Sequence, residues 1–434
     1  MPHERVRRDL AGGSPTGAIL HQLLLRCPYR RVPCSDFLSS TAIFFYPAPH
    51  REIVMNQTVV LGGGLVGAVM ALDLASETGR QVTLFDLDQK KLDFAKGQNE
   101  ALQVQQADLS CPDMVRQIAS NADTVLGALP SRFGHAALQA VIETGKPYCD
   151  ISFMPEDAWQ LSEMAQQSGT VAVVDCGVAP GMSNLLAGVA AHRLSPCRSI
   201  VIRVGGLPID RQPPWQYKAG FSPHDVIEEY LRPARIVEDG EVVLREALSE
   251  PVLIDFPETG TLEAFNTDGL RSLTETLDVP NMLEQTMRYP GHRDLVWAMR
   301  ETGLLNDEPI EINGCMVSPR ELTCRMLFPK WTYEPGERDL TVMRVEAEGD
   351  LDGVPTRLSW DLYDELDPVT NWTSMARTTA FPATIMARMI ESGIVSTPGV
   401  HPPEVLAADE RVLDTLLREL AARGVTYREV LEPA

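Results

Sequence analysis

The sequence predicts an α/β fold built on a doubly wound parallel sheet, followed by a second α+β domain. Three observations predict it. A glycine-rich segment at 62–67 joins an apolar run to a helical pattern, such runs and patterns alternate to about residue 175, and polar alternation with short turns then takes over. Alternating strands and helices call for a parallel sheet with right-handed crossovers, whereas the later pattern is typical of antiparallel pairing.

The glycine-rich segment fits G-x-G-x-x-G, the fingerprint of a Rossmann-type dinucleotide-binding turn. Gly62 allows the tight turn, Gly64 lets the backbone approach a pyrophosphate, and Gly67 lets the helix pack closely on the strand. Leu65 and Val66 lie at the start of the helix, where free N–H groups favour a phosphate. The segment therefore predicts a dinucleotide site.

Asp86 ends the next apolar run, at about the twenty-residue offset expected of the acid that binds the adenosine ribose. A carboxylate there accepts hydrogen bonds from both ribose hydroxyls and repels a 2′-phosphate, so we predict NAD rather than NADP as the cofactor. An ordinary polar strand end is the alternative. Asp108 is expected near the adenine and Pro130 near the nicotinamide, although helix capping accounts for Asp108 and Asp150 equally well.

Hydrophobic periodicity gives the remaining elements. First-domain strands are predicted at 59–61, 82–85, 101–104, 124–128, 147–149 and 171–174, with helices at 66–77, 90–97, 111–119, 131–144 and 155–168. Second-domain strands are predicted near 200–204, 235–237, 241–244, 340–347 and 356–363, and helices at 374–393 and 403–424. We accordingly predict a dinucleotide-binding domain at 55–180, an α+β substrate and dimerisation domain at 181–373, and a helical tail at 374–434 that packs back on the first domain.

Composition limits the classes of ligand. The chain has 434 residues, 44% of them hydrophobic and 23% charged, which indicates a globular protein of more than one domain. A net charge of −22 opposes nucleic acid or an anionic membrane as a partner and favours small molecules. The eight cysteines form no C-x-x-C pair, so we expect no metal site, no disulfide framework and a cytoplasmic location.

Residues 1–54 differ from the rest, because seven arginines there face only four acidic residues. A basic arm of this kind is typical of a transit peptide. Translation from an upstream start codon, with Met55 as the natural start, is the alternative that we favour, since the first strand of this fold usually lies close to the N-terminus. On either view we expect the arm to stand outside the fold.

Several longer strings resemble the saccharopine dehydrogenase family. They are GGGLVG at 62–67, YCDIS at 148–152, DCGVAPGMS at 175–183, FSPHDVIEEY at 221–230, GTLEAFNTDGLRS at 260–272 and RYPGH at 288–292. The resemblance runs from about residue 59 to residue 404, and Ala380 departs from the glycine that members often carry.

This resemblance implies a homodimeric NAD enzyme. The second-domain strings look closest to the branch that oxidises the ε-amine of L-lysine to 2-aminoadipate 6-semialdehyde, which cyclises to piperideine-6-carboxylate, and releases ammonia. Other members join or split saccharopine, or act on polyamine precursors, and both alternatives stay open. A sensor that binds NAD without turnover is a further alternative, since motifs report binding and not chemistry.

Oxidation of an amine requires a group that accepts protons and later activates water. His292 is the candidate base, because imidazole titrates near neutrality and a Pro-Gly turn precedes it. Asp175, at the domain junction, is a candidate for facing the substrate amine or orienting the base. A packing histidine and a helix-capping aspartate are the respective alternatives.

Recognition of an amino acid also requires a cation for its carboxylate. Arg271 and Arg288 are the candidates, because a guanidinium grips a carboxylate with two hydrogen bonds, and Tyr289 is expected beside them. Ordinary ion pairs are the alternative. Lys218 and Glu229 are weaker candidates for contact with the substrate. The aromatic residues Trp215, Tyr217 and Tyr230 are expected in the core or at an interface rather than around the substrate.

Overall fold

The computed structural model describes residues 56–334 and 336–434, so the basic arm at 1–54 and Met55 lie outside the described residues. The strands are β1 Asn56–Leu61, β2 Arg80–Asp86, β3 Gln103–Gln106, β4 Thr124–Gly127, β5 Tyr148–Asp150, β6 Val171–Val173, β7 Cys197–Pro208, β8 Ala234–Glu238, β9 Glu241–Arg245, β10 Val252–Phe256, β11 Gly260–Asn266, β12 Met282–Arg288, β13 Ile310–Ile312, β14 Cys315–Val317, β15 Asp339–Leu351, β16 Val354–Glu365, β17 Gly399–His401 and β18 Tyr427–Pro433. The α-helices are α1 Leu65–Ala75, α2 Gln89–Gln98, α3 Pro112–Ser120, α4 Ser131–Ile142, α5 Ser162–Ser168, α6 Met182–Arg193, α7 Pro223–Leu231, α8 Leu273–Thr276, α9 His292–Glu301, α10 Pro319–Trp331, α11 Ser374–Glu391 and α12 Glu410–Ala422. Short 3₁₀ helices occupy Ala158–Leu161 and Pro403–Ala408.

The first sheet is parallel and doubly wound, as the sequence predicts. Its strand order is β3-β2-β1-β4-β5-β6-β17. The order reverses between β1 and β4, and ligands of such sheets bind in the crevice outside the carboxyl ends of the strands at that point. The predicted Rossmann-type fold is therefore confirmed.

The second sheet is mixed, which corrects the antiparallel pairing expected from the sequence. Its main order is β10-β11-β12-β7-β15-β16-β18, and β8 joins it beside β12 and pairs with β9. Most neighbours are antiparallel, but β12 runs parallel to β7. Four strands of this sheet, β10, β11, β12 and β18, were not predicted.

The C-terminal segment carries the predicted helices α11 and α12, but it also contributes a strand to each sheet, which the predicted helical tail did not include. Strand β17 extends the first sheet beside β6, and β18 pairs with β16 at the edge of the second. Both strands are short or largely polar, which hides them from a periodicity argument. Between them in the chain lies α12, and α11 before them packs on α1 and on strands of both sheets.

One buried cluster of apolar side chains runs through both halves of this arrangement. It includes Val60 and Leu126 from the first sheet, Met343 and Trp360 from the second, and Phe381 from α11. None of the helices in the described part of the chain combines the length and the apolar character needed to span a membrane.

Candidate functional site

A cavity of about 980 Å³ opens at the switch point of the first sheet and is closed on its far side by the second sheet. The volume is at the upper end of the range for ligand pockets in proteins. One wall carries the turns that follow β1, β2, β3 and β4, and the opposite wall carries α7 and the ends of β11 and β12. We call these the nucleotide wall and the acidic wall.

The glycines of the nucleotide wall are required by close backbone contacts. A Cβ on Gly67 would lie 1.9 Å from the carbonyl oxygen of Gly62, and a Cβ on Gly62 would lie 2.4 Å from the carbonyl oxygen of Ala128. By contrast, apart from Gly64 itself and its two neighbours in the chain, no atom of the described residues lies within 4 Å of the position that a Cβ on Gly64 would take. The backbone at Gly64 is thus open to the cavity at the N-terminus of α1, as a bound pyrophosphate requires.

Asp86 lies at the end of β2 on the same wall. Its Oδ2 accepts a hydrogen bond from the Gly63 N–H at 2.7 Å, and its Oδ1 accepts one from the Asp88 N–H at 2.8 Å. The carboxylate is therefore fixed beside the glycine turn, with Lys91 Nζ 3.9 Å from Oδ2. A carboxylate in this position fits the ribose of a nicotinamide dinucleotide.

The remaining predicted cofactor residues line the same wall. Together they are Gly62, Gly64, Leu65, Val66, Gly67, Asp86, Asp108 and Pro130. Asp108 also has a local role, because its Oδ1 accepts hydrogen bonds from the N–H and hydroxyl of Ser110, and these lower its pKa. Asp150 makes the same pair of bonds with Ser152 and does not line the cavity in the described structure.

Among the residues described, four carboxyl side chains and one guanidinium line the acidic wall and its margins. They are Asp225, Glu229, Asp268 and Glu284, with Arg288 as the cation. Asp268 is paired with Arg235, whose Nε lies 2.8 Å from Oδ1. Arg288 donates to Glu229 Oε2 at 3.2 Å and to the Tyr230 hydroxyl at 3.0 Å.

Two threonines lie between the two glutamates of this wall. Thr267 Oγ1 is 2.7 Å from Glu284 Oε2 and 2.9 Å from Thr286 Oγ1, and Thr286 donates to Glu229 Oε1. The Gly269 N–H adds a bond to Glu284 at 3.0 Å. Burial raises the pKa of Glu284 to about 8, against the lowering effect of Thr267, and the nearby charge of Glu229 acts in the same direction as burial.

His292 begins α9 but does not line the cavity. Its side chain is buried, Nδ1 is 3.0 Å from the Trp215 carbonyl oxygen, and Nε2 is 3.1 Å from the Tyr230 hydroxyl. Because a carbonyl can only accept, Nδ1 carries the proton and Nε2 accepts from Tyr230. Burial, assisted by the charge of Arg288, lowers the pKa of His292 to about 3. This geometry does not favour the predicted role of His292 as the base.

Asp175 and Arg271 are brought together, but with each other rather than on the cavity wall. Arg271 Nε donates to Asp175 Oδ2 at 3.0 Å, and both side chains are buried. Each has a positive φ, 48° for Asp175 and 54° for Arg271, a conformation that costs energy and is held by the surrounding contacts. Since Arg271 is paired with Asp175 and is not among the residues that line the described cavity, its predicted contact with substrate is not favoured.

Of the predicted substrate residues, Arg288 and the weaker candidate Glu229 line the cavity. The Tyr289 hydroxyl donates to the Pro208 carbonyl at 3.0 Å beneath the Arg211 guanidinium. Lys218 pairs with Glu337 away from the cavity. Tyr217 and Tyr230 belong to a buried aromatic cluster, as predicted.

Sequence reasoning missed most of the acidic wall. Glu284 and Thr286 occur in a strand that was not predicted, and Asp225 was quoted only as part of a family string. Asp225 also connects the two walls of the cavity, because the Ser131 hydroxyl at the start of α4 donates a hydrogen bond to its Oδ1 at 2.6 Å. The one available signal was a run of polar residues, 284–286, inside an apolar context.

Two family models match the chain, end to end along the described region. The model described as "Saccharopine dehydrogenase NADP binding domain" matches residues 58–173, and the one described as "Saccharopine dehydrogenase C-terminal domain" matches residues 177–425. The boundary between them falls beside Asp175, at the junction of the two sheets.

Curated relatives carry related names. "Saccharopine dehydrogenase [NADP(+), L-glutamate-forming]" of Schizosaccharomyces pombe is 22% identical over 382 residues, covering 70% of this chain and 84% of that protein. The Saccharomyces cerevisiae protein of the same name is 21% identical, covering 86% of this chain and 99% of the relative. Bovine "Alpha-aminoadipic semialdehyde synthase, mitochondrial" is 20% identical, but only 41% of its length is covered.

A solved structure shares the fold. It is the apo form of histidine-tagged saccharopine dehydrogenase (L-Glu forming) from Saccharomyces cerevisiae, with a TM-score of 0.72 and 18% identity. The superposition covers 87% of this chain and 100% of that chain. At this identity the similarity speaks for the fold alone.

Proposed function

The chain belongs to the saccharopine dehydrogenase family, and from that premise we propose that it is an L-lysine 6-dehydrogenase, which oxidises the ε-carbon of L-lysine and releases ammonia. Family membership itself makes the protein an oxidoreductase with a nicotinamide cofactor. The choice of L-lysine rests on one observation, which is the charge of the acidic wall.

Lysine carries two ammonium groups and one carboxylate, so it suits a wall that presents several carboxyl groups and one guanidinium. Arg288 retains N–H groups beyond those given to Glu229, Tyr230 and the Met287 carbonyl, and we assign it the substrate carboxylate. The carboxyl groups of Asp225 and Glu229 lie on α7, across the cavity from the nucleotide wall, and suit the ammonium groups.

The reaction converts the ε-ammonium, an oxidised nicotinamide and water into an aldehyde, a reduced nicotinamide, an ammonium ion and one proton. A nicotinamide dinucleotide held by the glycine turn and Asp86 of the nucleotide wall would supply the acceptor for the hydride of Cε. The chain's own carboxyl groups take the proton from the ε-ammonium, since only the neutral amine can release a hydride, and later protonate the departing nitrogen. The aldehyde, 2-aminoadipate 6-semialdehyde, then closes on its own α-amine to give piperideine-6-carboxylate.

We propose NAD as the natural cofactor. The carboxylate of Asp86, held by the Gly63 N–H, repels a 2′-phosphate and suits a free ribose. The names of the yeast relatives and the description of the family model carry NADP instead. Lys91, close to Asp86, is the one feature of the described nucleotide wall near this carboxylate that favours a phosphate.

Cleavage or formation of saccharopine is the second candidate, because the relatives carry that name. Saccharopine has more carboxylates than lysine, whereas the described acidic wall offers one guanidinium, that of Arg288, and Arg132 lines the cavity on the opposite side. Charge at the cavity is thus the property on which the two candidates differ.

The deciding experiment incubates the purified protein with NAD and L-lysine, with no oxo acid present, and follows NADH together with ammonia. We expect both products in equal amounts, with L-ornithine and saccharopine turned over more slowly. Arg288→Lys is the matched variant, since it keeps the charge but loses the planar fork, and its KM for lysine should rise. Activity with saccharopine alone would reject the proposal in favour of the second candidate.

A further inference from the structure

We infer that Glu284 and Glu229 share one proton through the hydroxyls of Thr267 and Thr286, and act as a single acid–base unit facing the cavity. The inference rests on the proposed oxidation of an amine for its use in turnover, but the shared proton itself belongs to the resting protein. It is carried by the geometry of the four side chains.

The four side chains form an unbranched chain of contacts. Glu284 and Thr286 are two residues apart on β12 and therefore face the same side of the sheet. Thr267 follows β11 and bridges them, at 2.7 Å from Glu284 and 2.9 Å from Thr286. Thr286 then reaches Glu229 on α7. All four residues line the cavity.

The number of hydrogens available to the three contacts determines how many of the two carboxyl groups are protonated. The contacts Glu284–Thr267, Thr267–Thr286 and Thr286–Glu229 each need one hydrogen, and the two hydroxyls supply only two. With both carboxyls ionised, the contact between the threonines would bring together two oxygens without a hydrogen. One carboxyl proton completes the set, and either carboxyl can hold it.

The surrounding charges place the resting proton on Glu284. Glu229 is compensated by Arg288, whereas Glu284 faces the negative charges of Glu229 and Asp268 and is almost fully buried. Burial raises the pKa of Glu284 to about 8. In this arrangement Glu284 donates to Thr267, Thr267 to Thr286, and Thr286 to Glu229.

In the opposite arrangement each of the three protons has moved to the next oxygen in the row of contacts. Three O–H bonds break and three form, so that the proton leaves Glu284, appears on Glu229, and every hydroxyl points the other way. The unit can therefore take the proton of the ε-ammonium at one carboxylate and protonate the departing nitrogen from the other. In the whole reaction one proton is left over, and it passes to solvent.

The first test is made on the protein without substrate. Infrared difference spectra during a pH titration detect the C=O stretch of a protonated carboxyl, and we expect one such band at neutral pH that is lost in Glu284→Gln. In Thr286→Val the band should shift and titrate at a different pH, because the hydrogen bonds that connect Glu284 to Glu229 are interrupted. Groups facing the unit, namely Asp268, Arg288, Tyr217 and Tyr230, are unchanged in that variant.

Thr341→Val is the matched control. It also removes a buried threonine hydroxyl, but one that has no hydrogen-bond partner among the described residues and lies on β15 away from the cavity. Its carboxyl band and titration should equal those of the wild-type protein. Absence of a protonated carboxyl at neutral pH, or the same titration in Thr286→Val and wild type, overturns the inference.

The second test uses turnover. Thr286→Val should lower kcat by about 100-fold or more, the usual contribution of a positioned acid–base group, with little change in KM. Thr286→Ser keeps the hydroxyl and should restore most of kcat and the solvent deuterium isotope effect. Equal loss in the valine and serine variants means that only packing matters, and it overturns the inference.

The two tests separate this inference from the proposed function. If the infrared band behaves as expected but lysine is not oxidised, the shared proton stands and the substrate assignment fails. If lysine is oxidised but the band does not depend on Thr286, the substrate assignment stands and the shared proton is rejected.

Discussion

At the scale of single residues, the structure separates residues that share a chemical type by what surrounds them. Arg271 and Arg288 look alike in the sequence, yet one is committed to Asp175 and the other lines the cavity. The imidazole of His292 has both nitrogens occupied inside the protein. The sequence gives the type of each residue. It does not give the hydrogen-bond partners, because these lie in segments far away in the chain.

Replacing Asp86 tests the cofactor proposal. We expect Asp86→Ala to lower kcat/KM with NAD by about 10-fold or more, through lost charge-assisted hydrogen bonds to the ribose, and to narrow the preference for NAD over NADP. Asp86→Asn is the control, because it keeps an oxygen for the Gly63 N–H while removing the charge. An unchanged preference in both variants would contradict the assignment.

Glu284 should make stability depend on pH. Its pKa rises from 4.5 to about 8 on folding, so the protonated form is favoured by the fold. The contribution to stability is fully present below pH 4.5 and is lost as the pH rises through about 8. Across that window the free energy of unfolding should fall more steeply in wild type than in Glu284→Gln, on the order of 1 kcal/mol per pH unit. Urea denaturation at several pH values measures the free energy of unfolding of both proteins. The same pH dependence in wild type and Glu284→Gln would contradict this prediction.

His292→Asn distinguishes a packing role from a catalytic one. Because the ring is buried between Tyr217 and Tyr230, we expect a loss of about 1–3 kcal/mol in the free energy of unfolding. The shape of the kcat–pH profile should be retained at a temperature where the variant is folded. A lost ionisation in that profile, with stability intact, would restore His292 as the base.

At the scale of elements, the strands that were predicted are those that obey a simple pattern. Strands β1, β4 and β6 of the first sheet are largely apolar because they are buried on both faces, and their positions were predicted to within a few residues. Strand β12 was missed because Glu284, Gln285, Thr286 and Arg288 are buried polar residues. Functional sites commonly depart from the rule that buried positions are apolar. The strand that was not predicted is accordingly the one that carries Glu284, Thr286 and Arg288 of the acidic wall.

The packing of α11 on α1 depends on a buried carboxylate that no periodicity argument would select. Asp73 Oδ2 accepts from Arg388 at 2.8 Å and from Thr384 at 2.7 Å, and Oδ1 accepts from Arg423 at 2.9 Å. Partners more than 300 residues away in the sequence cannot be inferred from local pattern.

We therefore expect Asp73→Asn to be strongly destabilising. Removing this charge leaves two half-buried guanidinium groups, those of Arg388 and Arg423, with one carboxylate partner each, at a cost of about 2 kcal/mol or more. Asp113→Asn, in an exposed pair with Arg116, is the control and should change stability by less than about 1 kcal/mol. Equal midpoints of urea denaturation for the two variants would contradict the role of Asp73.

At the scale of the whole molecule, the C-terminal segment ties the sheets into one folding unit. Strand β17 belongs to the first sheet, β18 to the second, and α11 contacts both. The domain boundaries drawn from the sequence, 55–180, 181–373 and 374–434, stay predictions, as does the homodimer. Order along the chain suggested separate domains, but it could not reveal that the last segment returns to both.

The described part of the chain should accordingly unfold as one unit. Hydrogen exchange measured by mass spectrometry should give similar opening free energies for peptides from β4 and from β15, because both border the same buried cluster. A lower opening free energy confined to one sheet would show that the two halves unfold independently.

The hydrogen bond between Ser131 and Asp225 joins the start of α4, on the nucleotide wall, to α7, on the acidic wall. A ligand that displaces either wall must alter the other, so the two binding equilibria are linked. Linkage is reciprocal: whatever factor a ligand of the nucleotide wall imposes on the affinity for a ligand of the acidic wall, the second ligand imposes on the affinity for the first. This one contact thereby gives the protein a means of making the retention of one ligand depend on the presence of the other.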